Sequence, residues 1–143
     1  MPVTAGTTSV GQLGEPGSAR YGGEPVAAVL LEQATAGLLR AGTVASPAER
    51  FALARLAAVR AGAAVLATRA VESRSPGSTR SRPHSLWALL AGVAPELREW
   101  SMFFAACAVR SSVTVREADD MVRQTEQFLT LARRAALRHR RGP

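Results

Sequence analysis

The chain is 143 residues long, 47% hydrophobic and 20% charged, with a formal net charge of +7. That length suits one domain around a single core, and an apolar content this high excludes disorder throughout. The lone cysteine, Cys107, excludes an internal disulfide framework and fits a reducing compartment; among apolar neighbours it reads as a small core residue.

All 18 basic residues are arginine, a bias that a high-GC coding sequence produces unaided, so position says more than number. Arg74, Arg80 and Arg82 fall in one acid-free stretch, 73–84, and Arg133, Arg134, Arg138, Arg140 and Arg141 fall in another, 130–143. The remainder is close to neutral. The excess charge therefore lies on a loop and a tail. There it can supply salt-dependent phosphate contacts to a nucleic acid, or simply keep the chain solvated.

Residues 1–24 hold six Gly and two Pro among scattered Ser and Thr and read as a disordered leader. They have neither the basic start nor the apolar run of a signal peptide, and no apolar stretch reaches the roughly 18 residues of a membrane span. A cytoplasmic protein without membrane contact is the expectation. From Pro25 the pattern turns helical, with Val26, Leu30, Ala34, Leu38 and Ala41 on one face and Gly42 as the stop. Ser46-Pro47-Ala48-Glu49 opens the next helix: Ser46 caps, Pro47 suits the first helical position, and Glu49 can complete a capping box. That helix runs to about Ala70 and is Ala-rich, with Phe51, Leu53, Leu56, Val59, Val65 and Leu66 spread around it. Its Ala residues and Gly62 allow neighbours to approach closely. Residues 71–84 form a loop.

Residues 85–110 hold four of the seven aromatics, Trp87, Trp100, Phe103 and Phe104. Ser85 or His84 starts a helix with Leu86, Leu89, Leu90 and Val93 as its apolar face. Pro95 then disfavours helix at Ala94 and starts a new piece, giving two helices or one kinked helix. Leu97, Trp100, Phe104 and Cys107 recur at helical spacing as a buried stripe. Trp87 and Trp100 can stack bases, yet their Leu, Val and Phe neighbours sit at core spacing, so packing is the expectation. Thr114-Val-Arg-Glu117 is a second capping box and opens a last helix with Met121, Val122, Thr125, Leu129, Ala132 and Ala136 inside and an Asp119–Arg123 pair outside. No stretch alternates with the period of a strand. The fold class is all-α, an antiparallel bundle of four to five helices: a leader (1–24), the bundle (25–137) and a basic tail (138–143).

The segments Ser85-Leu-Trp-Ala88, Leu89-Leu90, Val93-Ala-Pro-Glu-Leu97, Glu99-Trp100, Phe103-Phe104-Ala105 and Glu117-Ala-Asp-Asp120 resemble an actinobacterial family of HEPN (higher eukaryotes and prokaryotes nucleotide-binding) domain proteins. So does Ser46-Pro-Ala-Glu-Arg50. The resemblance covers about residues 26–132 and implies a four- to five-helix bundle, in agreement with the periodicity. It also implies function. Many members of the wider superfamily are metal-independent ribonucleases that work as dimers through an Arg followed, after four to six residues, by a His. Others lack the motif and bind RNA or partner proteins without cutting.

The chemistry behind that motif is plain: a His near neutral pKa moves a proton at the ribose or leaving oxygen, and an Arg steadies the phosphate. His84 has Thr79, Ser78 and Gly77 at the required distances and does not match. His139 matches with Arg134 five residues before it, although Ala135 follows that Arg where the family has a polar residue. Arg134 and His139 are thus the candidate catalytic residues. Arg74, Arg80, Arg82, Arg133, Arg138, Arg140 and Arg141 are the candidate nucleic-acid contacts. Glu117, Asp119 and Asp120 sit in the first turn of a helix, where acids favour the dipole. With no ligand patterned to join them, no metal and no cofactor is expected. The leading expectation is a non-catalytic, homodimeric HEPN-like bundle that binds RNA or a partner protein. The alternatives are an endoribonuclease using Arg134 and His139, and a pure interaction module of a toxin–antitoxin-like pair.

Overall fold

The computed structural model describes residues 18–73, 85–108, 110 and 112–141, with side chains for 23–69 and, in the later segments, up to 138. The leader before Ser18, the loop bearing Arg74, Arg80, Arg82 and His84, and the side chains of His139, Arg140 and Arg141 lie outside the described residues. Five α-helices form: α1 (Ser18–Ala41), α2 (Pro47–Ser73), α3 (Leu86–Val93), α4 (Arg98–Ala106) and α5 (Val115–Arg141). Among the described residues there is no strand.

Three of the helices, α2, α3 and α5, open on a capping side chain. Ser46 accepts from the Glu49 N–H at 3.2 Å to open α2, and Ser85 accepts from the Ala88 N–H at 3.1 Å to open α3. At α5 the capping box is reciprocal. The Glu117 N–H donates to Thr114 Oγ1 (3.0 Å), and the Thr114 N–H donates to Glu117 Oε1 (2.9 Å). Between α3 and α4 the chain leaves the helix at Ala94 and resumes in a 3-10 turn, Pro95–Leu97. Pro95 therefore does separate two helices. Helix α1 begins at Ser18, ahead of the periodic face that starts at Val26, and α5 keeps helical backbone to Arg141, beyond the expected boundary at 137. The Gly and Pro at 22–25 concealed the first of these. Pro25 lies inside α1, and at Gly23 an added Cβ would run into the Ala67 carbonyl of α2.

Helix α1 packs antiparallel to α2, with Gly23 beside Ala67 and Gly37 beside Ala57. Helix α5 runs the same way as α2: Arg50 meets Asp119, Thr125 Oγ1 donates to the Ala54 carbonyl (3.3 Å), and Arg69 reaches the Ala135 carbonyl (3.1 Å). The antiparallel relation thus holds for α1 against both long partners, while α2 and α5 are parallel because the α3–α4 hairpin intervenes. Pro47–Arg69 of α2 is long and apolar enough, by length and composition, to cross a membrane. Its alanines raise the average hydropathy although Arg50, Arg55, Arg60 and Arg69 interrupt it. In the bundle it is the central helix, and Ala54, Ala57, Ala58, Ala61, Ala64 and Val65 are buried.

The aromatic block closes the core from one side. Phe104 is fully buried, stacked on Trp87 (5.1 Å between centroids) and tilted against Phe128 of α5 (5.1 Å). Trp100 stacks on Phe104 at 6.1 Å. Phe128, fully buried, belongs to the inner face of α5 alongside Met121, Thr125, Leu129, Ala132 and Ala136. Removing a ring of this kind to alanine typically costs about 3–5 kcal/mol. Several expected apolar positions turn outward: Val26, Leu56 and Leu89, with Phe103 beside the aromatic stripe, are each at least 40% exposed. Cys107, just past the end of α4, is half-buried at the edge of the core rather than inside it.

Candidate nucleic-acid interface

After Glu126 the sequence of α5 carries no acid, and its last turns are dense in arginine. Ala132, Ala135 and Ala136 face the core, so the alternation of small residues and arginines places Arg133, Arg134 and Arg138 at the exposed surface. Each has a different setting. Arg133 Nη2 donates to Thr35 Oγ1 of α1, which fixes its guanidinium across the α1–α5 groove. Arg138 lies 3.9 Å from Glu96 Oε2, a loose pair that leaves it well exposed. Arg134 has no hydrogen bond or ion pair among the described residues, so its full charge and donor fork face solvent.

Beneath this surface sits a clamp. Arg69, near the end of α2, donates to both carboxylate oxygens of Glu96 (3.2 and 2.7 Å), to the Val93 carbonyl (3.2 Å) and to the Ala135 carbonyl (3.1 Å). One side chain thereby ties α2, the end of α3, the Pro95 turn and α5 together. Its hydrogen bond, more than any other influence, holds the Glu96 carboxyl below the usual carboxylate range. The clamp stands one turn before Ser73, where α2 ends and the stretch with Arg74, Arg80 and Arg82 begins. Both acid-free stretches of the sequence therefore attach at the same end of the bundle.

Of the candidate catalytic pair, Arg134 is described in full, while the side chain of His139 lies outside the described residues. Positions 134 and 139 are five residues apart on α5, about 140° around its axis. Arg134 lies on the exposed face.

A groove of about 290 Å³ runs between α1 and α5 beside the basic end, floored by Ala27, Leu31 and Ala136, with Glu24, Glu32 and Arg133 as its charged lining. At the opposite end, a cleft of about 580 Å³ is lined by Phe51, Phe103, Cys107 and Met121. Its charges are already matched: Arg110 pairs with Glu117 at 2.8 Å and lies over the Phe51 ring at 5.6 Å. Burial pushes the Cys107 thiol pKa up against the pull of Arg55 and Arg110, which keeps it a poor nucleophile. The expected Asp119–Arg123 pair does not form. Asp119 instead bridges to Arg50 of α2 at 2.7 Å, and Arg123 pairs with Asp120 at 3.3 Å. A contact across the bundle, with Arg50 largely buried, has displaced the exposed intrahelical one. Among the described residues no three His, Cys, Asp or Glu side chains gather as a metal cluster.

The elements and their surface define an all-α bundle with one arginine-rich end and no assembled catalytic cluster among the described residues. The chain belongs to the SAV_6107-like HEPN family, whose profile matches residues 41–133. The match spans α2 to α5 and stops at Arg133, so Arg134, Arg138 and His139 lie beyond it. No curated protein and no solved structure matches the chain.

Proposed function

We propose that this HEPN bundle is a non-catalytic, cytoplasmic RNA-binding protein that works as a homodimer and presents its arginine-rich end to the phosphate backbone. The observation that carries the reading is Arg134: an exposed guanidinium with no partner among the described residues, next to Arg133 and Arg138 on acid-free turns of α5. Phosphate contacts of this kind give affinity without sequence preference. The apolar side chains of Leu89, Met102 and Phe103, exposed on α3 and α4, support a second copy as the other partner.

The endoribonuclease alternative keeps one observation in its favour, the Arg134–His139 spacing. Ala135, which follows Arg134 where the motif has a polar residue, favours binding over cutting. A labelled single-stranded RNA incubated with the protein separates the two readings. Binding that leaves the RNA intact is expected, in wild type and in His139→Ala alike. Cleavage that His139→Ala abolishes would replace the binding reading by the enzymatic one.

A further inference from the structure

Deepening the RNA-binding reading, on which it rests, we propose that the groove between α1 and α5 is a base pocket for guanine, with the Glu32 carboxylate as the acceptor that selects it. The groove owes its existence to small residues. Ala27 and Ala28 of α1 face Ala136 of α5, so the helices leave about 290 Å³ between them instead of interlocking. Its floor is apolar, with Ala27 and Ala136 buried and Leu31 half-buried. Leu137 continues that surface to solvent at 48% exposure. Such a floor suits the flat face of a base.

The lips supply the polar half of the recognition. Glu32 is exposed and has no hydrogen bond or ion pair among the described residues, so both its oxygens remain available. Two adjacent acceptors match the Watson–Crick edge of guanine, whose N1–H and N2 amine are neighbouring donors. Adenine and cytosine each set an acceptor beside their single amine, and uracil flanks its N–H with two carbonyls, so each would hold a lone pair against the carboxylate. Splayed single-stranded bases are read on this edge. Arg133, held by Thr35, lines the same groove, as does Glu24, which is already engaged, and Arg133 leads to Arg134 and Arg138 on the outer face. A nucleotide with its base in the groove then has its phosphate on the arginine side. No element of the pocket coincides with the 134–139 pair.

Three single-stranded RNA oligomers that differ only at one central base (G, inosine or A) test the pocket, using the full-length protein and fluorescence anisotropy. The G oligomer should bind about ten-fold tighter than the A oligomer, the discrimination of one good bidentate contact. Inosine, which keeps N1–H and lacks the amine, should fall between. Glu32→Gln should bring G and A within about two-fold of each other while the A oligomer still binds, since the amide keeps only one acceptor. Ala28→Leu, an exposed position on the groove, should narrow it and give the same loss without touching a charge. Equal affinity for all three oligomers in the wild type overturns the pocket and leaves RNA binding standing. A guanine preference that survives both substitutions overturns it as well. Absence of binding to any oligomer overturns both readings and leaves the carboxylate groove to a basic side chain of a protein partner.

Discussion

Two glycines in the long helices differ in what an added methyl group would meet. In an exposed helix, Gly→Ala gains about 1 kcal/mol from propensity alone. At Gly23 the new Cβ would meet the backbone carbonyl of Ala67, an atom that cannot move without displacing α2. At Gly62 it would meet the Leu86 Cδ2 (3.0 Å) and the Trp87 ring (3.2 Å), of which the leucine methyl can rotate away. Overpacking against fixed atoms costs about 1–3 kcal/mol, so Gly23→Ala should lower the unfolding midpoint. Gly62→Ala should change it less. Urea unfolding of both variants measures the order directly, and a Gly23→Ala protein as stable as wild type would contradict the close α1–α2 approach. Gly62 was legible in the sequence because Ala-rich helix surrounds it. Gly23 was not, because five other glycines precede or adjoin it and composition spoke first.

At the scale of elements, the Arg69–Glu96 clamp holds the Pro95 break in the aromatic block against the two long helices. Its pH behaviour follows from the lowered pKa of Glu96. The carboxylate stabilises the fold fully above its unfolded pKa, near 4.5, and that contribution is lost as the pH falls through the lower folded value. Between about pH 6 and pH 3, Glu96→Gln should therefore lose less stability than wild type, while being less stable at neutral pH. Parallel thermal melts across that range check it; identical slopes for the two proteins would mean that the pair contributes nothing to folding. The helices themselves were readable because their boundaries are chemical. Ser46, Ser85, Pro95 and Thr114 each sit where a cap or a break must be. Long-range pairing was not readable. Nothing local in α5 says that Asp119 meets Arg50, 69 residues away, rather than Arg123 on its own helix. The inner face of α2 was hidden for a related reason: its buried stripe consists of alanines, while the larger Leu56 turns outward.

For the whole molecule, charge and architecture divide the labour. The HEPN profile matches residues 41 to 133, and outside the two acid-free stretches the chain is nearly neutral and supplies the packed frame. Among the described residues Arg133, Arg134 and Arg138 lie toward the end where α2 and α5 finish together, beside the α1–α5 groove. The two acid-free stretches are plain in the sequence. That they attach at one end of the bundle depends on α2 and α5 running parallel, which periodicity cannot reveal. The groove was likewise hidden, since Glu32 and Ala136 are 104 positions apart in the numbering. The central claim, that this end grips RNA phosphates, is tested most directly by single-stranded RNA affinity measured at rising salt for wild type and for Arg134→Gln/Arg138→Gln. The expected result is a steep wild-type dependence of log affinity on log salt, with a slope shallower in the double variant by about 0.7 for each phosphate it no longer neutralises. Equal slopes for the two proteins, or no RNA affinity in the wild type, would contradict it.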